Sequence, residues 1–113
     1  MNVDEGITLL CARGFWFQAV HGESGEVAVL VGSYGWPECY DRLHLWSEDQ
    51  AIAARSVPSG RPGADDVLWT YQDGALPTIQ ALLDLPKPDE PGAPRLARRP
   101  PSGLWLPPSA TRV

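Results

Sequence analysis

From Ile7 to Gln72 the apolar residues fall in short blocks of β-branched, aromatic and aliphatic side chains, each cut off by glycine, proline or a polar cluster. That punctuation predicts strands joined by tight connections. The first blocks are Ile7 to Ala12 (ITLLCA) and Phe15 to Val20 (FWFQAV), separated by Arg13-Gly14; they read as two strands, or as one strand bulged at the glycine. His21 to Glu26 (HGESGE) then offers two glycines ahead of Val27 to Gly32 (VAVLVG), which predicts a hairpin. Leu43 and Leu45 alternate with His44 and Trp46, and the polar Ser47 to Gln50 separates them from Ala51 to Val57 (AIAARSV), a second hairpin. Pro58 to Asp66 is a polar loop, after which Val67 to Gln72 (VLWTYQ) returns to strand composition.

The period changes at Asp73. Between there and Leu85 the apolar Leu76, Ile79, Leu82 and Leu83 recur every three or four positions, Pro77 suits a first helical turn, and Pro86 marks the end. The expected fold is therefore α+β: about five mostly antiparallel strands in a meander of hairpins, because the connections are too short for parallel crossovers, with one C-terminal amphipathic helix packed on the sheet. Residues 1–86 form a single domain in this reading. Residues 87–113 form an extended tail, since eight of the twelve prolines lie between Pro86 and Pro108 and no helical or strand period survives there.

Inside that tail, Gly103 to Pro108 (GLWLPP) sets Leu104, Trp105 and Leu106 in a row. Three large apolar side chains have no use in a solvated spacer, so this segment is expected to dock, on its own body, on an identical chain or on another protein. Charge supports the first two choices. Residues 1–94 hold fourteen acidic and five basic side chains, whereas residues 95–113 hold four arginines and no acid. Arg95, Arg98 and Arg99 are thus expected near body carboxylates.

Composition narrows the setting. A chain of 113 residues affords one modest core. Single lysine and asparagine residues amid abundant arginine, alanine, glycine and proline are the mark of a GC-rich bacterial gene. The opening residues are acidic where a secretion signal is basic, and no apolar run reaches the length of a membrane span, so the expected location is cytoplasmic, without a membrane partner. In a reducing compartment Cys11 and Cys39 are expected as free thiols.

Candidate chemistry concentrates in Gly32 to Trp46 (GSYGWPECYDRLHLW). Were Pro37 to His44 a short helix, Glu38, Asp41 and His44 would share a face beside Cys39. Two carboxylates next to a thiol hold it protonated, however, and Cys39, His44 and His21 match no structural zinc spacing. No P-loop, HExxH, CxxC or GxSxG occurs. The simpler reading makes Tyr34 to Pro37 a turn and Leu43 to Leu45 a core strand, with no catalytic residue, no metal and no cofactor.

The aromatic residues exceed what so small a core encloses. Tyr34, Trp36 and Trp46, with Leu104, Trp105 and Leu106 of the tail, form the expected partner-binding set. A pocket between sheet and helix, lined by Trp16, Trp36, Trp46 and Trp69 with Asp41 and His44, is the alternative. The sequence accordingly predicts a small acidic protein that binds another protein without catalysis, with self-association through the tail as one form of that. A small-molecule binder or small enzyme is the second choice. Nucleic acid is disfavoured, because the acidic body repels phosphates and the arginine run Arg95 to Arg99 lacks interleaved aromatic residues.

Overall fold

A computed structural model describes residues 1–63 and 65–107; Ala64, Pro108 of the docking segment and the rest of the tail to residue 113 lie outside the described residues. Two helices and five strands follow the chain as α1 (Val3–Ala12), β1 (Trp16–His21), β2 (Val27–Gly35), β3 (Tyr40–Ser47), β4 (Gln50–Val57), β5 (Asp66–Asp73) and α2 (Ala75–Asp84). The strands form one sheet in the order β1-β2-β3-β4-β5, every neighbouring pair antiparallel. The α+β meander with a C-terminal helix on the sheet is as expected.

The first block is a correction: Ile7 to Ala12 is not a strand but the greater part of α1. Asn2 caps the helix by accepting from the Glu5 amide at 2.8 Å, and Glu5 accepts from the Asn2 amide at 3.2 Å, a reciprocal capping box. Asp4 and Glu5 also complement the dipole in the first turn. Val3, Ile7 and Leu10 recur at helical spacing on the face turned to the core. The helix ends where Gly14 donates to the Cys11 carbonyl and Phe15 to that of Leu10, with Gly14 at φ +106°, a conformation that suits glycine and turns the chain into β1.

Helix α2 lies on the same face of the sheet. It buries Ala75, Thr78, Ile79 and Leu82, while Pro77 sits in its first turn. The two helices touch where α1 has no side chain: a Cβ on Gly6 would come within 2.7 Å of Ile79 Cγ2. Leu43, Leu45, Ala51 and Ala53 complete the core beneath them, with Phe15, Phe17 and Leu30 packed at its margin.

Strand parity assigns the remaining side chains. Asp41, Leu43 and Leu45 of β3 are buried under the helices, whereas Tyr40, Arg42, His44 and Trp46 face the opposite side. The chain beyond α2 covers part of that second face. Pro86 lies on the helix side, where its carbonyl accepts from Arg55 at 2.7 Å. Farther on, Arg98 pairs antiparallel with Val67 through two backbone bonds of 2.8 and 2.9 Å, and Trp105 reaches the His44 ring at a centroid distance of 4.4 Å. The segment is a strap that passes around the edge of β5.

Candidate functional site

The stretch that concentrates candidate chemistry divides between the two faces. Trp36 to Cys39 make a turn between β2 and β3, closed by the Trp36 amide donating to the Cys39 carbonyl at 2.8 Å. Beyond the turn, β3 alternates, so Asp41 points beneath the helices and His44 away from them. No short helix forms here, and the grouping of Glu38, Asp41 and His44 about Cys39 does not occur.

On the helix side, register sets Asp41 directly opposite Arg55 of β4. Both are almost fully buried, at 3% and 1% exposure. Arg55 donates from Nε to Asp41 Oδ1 at 2.7 Å and from a terminal nitrogen to Oδ2 at 3.0 Å, while its other terminal nitrogen binds the Pro86 carbonyl. Trp36 Nε1 donates to Asp41 Oδ2 at 3.0 Å, and the guanidinium carbon lies 5.7 Å from the Trp36 ring centroid. An ion pair is tolerated in such a place because its lone pairs and protons are engaged on several sides.

This network forms the floor of a cleft of about 730 Å³ between the end of α2 and the β2–β3 turn. Phe15, Tyr34 and Trp36 form its aromatic wall, with Tyr34 between the other two at ring distances of 5.6 and 4.7 Å. Arg13, whose guanidinium donates to the Leu83 carbonyl at 2.7 Å, and the segment Leu82 to Lys87 close the opposite side. On the other side of Trp36 and Lys87 lies a second depression of about 420 Å³, lined also by Pro37, Glu38, Pro88, Asp89 and Arg95. The two depressions lie side by side and share Trp36 and Lys87 as lining.

The four tryptophans expected to share a pocket are not together. Trp36 and Asp41 line the groove. Trp69 packs at the core margin beside Tyr71, with ring centroids 6.2 Å apart. Trp46 contacts His44 on the second face. Trp16, opposite Ser33 and 68% exposed, lies on that second face at the sheet edge. Alternation along strands separates residues that composition alone had grouped.

The second face carries the docked tail. Leu104 and Trp105 are half-buried there, and Leu106 is exposed. Arg42 lies over the Tyr40 ring at 4.9 Å and 6.0 Å from the Trp105 ring centroid. Burial, with Arg42 nearby, lowers the His44 pKa to about 4, so the ring is neutral at pH 7. The expected pairing of tail arginines with body carboxylates is not what holds the strap. Among the described residues the ion pairs are Arg55–Asp41 and Arg61–Asp66, while Arg98 engages through its backbone and Arg95 donates to the Glu90 carbonyl.

Cys11 is an exposed free thiol and Cys39 a buried one. Burial pushes the Cys39 thiol up, and Asp41 and Glu38 add to this against a smaller opposing effect of Arg55 than that of burial. Among the described residues no group of three or more His, Cys, Asp or Glu side chains is arranged to hold a metal. No described helix is long and apolar enough to cross a membrane.

Arg55, Arg13 and Phe15 are the groove residues that sequence reasoning missed. Arg55 carried a signal, a lone charge within the apolar run Ala51 to Val57. Its partner depends on strand register. Comparison with protein-family models, with curated proteins and with solved structures finds no match to this chain.

Proposed function

We propose that the protein is a small non-catalytic binding module that receives a segment of another protein in the groove walled by Phe15, Tyr34 and Trp36. The observation that carries this reading is the pair of neighbouring depressions, about 730 and 420 Å³, that share Trp36 and Lys87 and together offer a surface longer than a compact ligand needs. Its interior polar groups, Arg55, Asp41 and the Trp36 indole, are already engaged with one another. What they leave to a partner is aromatic surface, half-buried and open on one flank, rimmed by Glu38, Asp84, Asp89 and Glu90 among fewer cations. With Arg13, Lys87 and Arg95 on the same rim, such a surface favours an apolar anchor with polar flanks of mixed charge. We assign its setting to the cytoplasm of a GC-rich bacterium, on the arginine-rich, lysine-poor composition and the two free thiols.

A second reading, a small-molecule binder, is favoured by the volume of the first depression, about 730 Å³, which is within the range of ligand pockets. Affinity purification from the host with the wild-type chain and with Tyr34→Ala and Trp36→Ala separates the two. A stoichiometric protein that is lost with both variants and retained with Trp46→Ala is the expected result. Capture that is indifferent to Tyr34 and Trp36, together with a metabolite that raises the wild-type melting temperature but not that of the variants, would sink the first reading in favour of the second.

A further inference from the structure

The two edges of the sheet are treated differently. On β5 the strap supplies a backbone partner at Val67. On β1 the partner is β2 alone, and among the described residues nothing pairs with the outer edge of Trp16 to Val20. Sheet edges of this kind are commonly protected by lysine, proline, a bulge or an inward charge. β1 has none of these over its first five residues: it carries no ionisable side chain from Trp16 to Val20, and its irregularity falls only between Val20 and His21. It also exposes large apolar side chains, with Trp16 at 68% and Val20 at 43%.

We infer that β1 is the contact through which two copies of this chain associate, the edges pairing antiparallel about a two-fold axis at Gln18. Register selects that axis. With Gln18 opposite its own copy, Trp16 of one chain stands opposite Val20 of the other, and the reverse pair follows by symmetry. Both residues lie on the second face of the sheet, so each exposed tryptophan gains an exposed valine as its cross-strand neighbour. The uncharged edge matters for a second copy in particular. The chain carries a net charge of −5, and a self-contact must avoid opposing like charges; Trp16 to Val20 does so where the acidic body does not. The product is a continuous ten-stranded sheet with the helices of both copies on one side. The shared edge is short, so association belongs to the weak class and depends on concentration.

Sedimentation equilibrium of the intact protein from about 10 µM to 1 mM, a span suited to weak pairs, reads the association. The mass is expected to climb from the single-chain 12.3 kDa toward twice that value. Gln18→Glu sets two carboxylates against each other on the axis and is expected to weaken association at least tenfold, while circular dichroism stays that of the wild type. Register is tested by crosslinking in a Cys11→Ser background. Gln18→Cys places two thiols directly opposite, within disulfide reach, whereas Ala19→Cys leaves them diagonal and too far apart. Gln18→Cys is expected to form linked dimer at least tenfold faster than Ala19→Cys. A mass that stays at one chain to 1 mM, association unchanged by a folded Gln18→Glu, or linkage of Ala19→Cys at the rate of Gln18→Cys would each overturn the proposal.

Discussion

Asp41 shows how much one position decides. Its carboxylate accepts from Arg55 twice and from the Trp36 indole, so truncation leaves a buried guanidinium without its counter-charge and an indole N–H without its acceptor. Asp41→Ala is expected to cost about 3–5 kcal/mol of stability, the cost of breaking a buried pair from one side, measured by urea unfolding. Asp41, Tyr34 and Trp36 were legible as site residues because they sit in one short stretch. Arg55 was not, because opposing residues fourteen positions apart is the work of register, which no local pattern encodes. His44 gives a residue-scale test of pH. Its folded pKa, about 4, lies below the unfolded value of 6.5, so the unfolded chain binds the proton first as pH falls. The stability from keeping this ring neutral is complete above about pH 6.5 and is lost between there and pH 4. Between pH 7 and 5 the loss is expected to be about 1–2 kcal/mol, discounted for the ring's remaining contact with solvent. Urea titrations at the two pH values measure it, and His44→Gln should flatten the difference.

Helix α1 shows where composition misleads about an element. Ile7, Thr8 and the leucines that follow have the look of a strand, yet Val3, Ile7 and Leu10 hold a helical spacing and Asn2 with Glu5 supplies the cap. Both signals lay in the sequence, but each begins upstream of the block that drew attention, at Asn2 and Val3, and packing against α2 supports the helix. The cap is open to direct test: Asn2→Ala removes the acceptor for the Glu5 amide and is expected to cost about 1 kcal/mol, with little change when Thr8 is replaced instead. The five strands and α2 were legible for the opposite reason. Their apolar blocks are bounded by glycine, proline and polar turns that leave one period each, and residues 51–56, buried on both faces, need no alternation at all.

Across the whole molecule, the strap ties the helix side to the second face. Leu104 and Trp105 were legible as docking residues from their composition; the means of attachment was not, since backbone pairing at Arg98 and ring contact at His44 leave no trace in charge or period. Truncation after Pro101 is expected to remove the cover from His44, returning its pKa toward 6.5 and speeding hydrogen exchange in β3 and β4. NMR titration of the ring reads the first effect. Because the strap is not held by ion pairs among the described residues, these signatures in the intact chain are expected to be insensitive to salt between about 0.05 and 0.5 M, a span that shortens the screening length severalfold. The meander has a different consequence, in time. Every strand pairs with its neighbour in sequence, so the sheet grows by short loop closures, whereas α1 meeting α2 at Gly6 and Ile79 joins the two ends of that meander. Short closures are fast and long ones slow. Folding is therefore expected to be limited at the helix layer: stopped-flow refolding should slow for Gly6→Ala, while changes within the hairpins should chiefly speed unfolding.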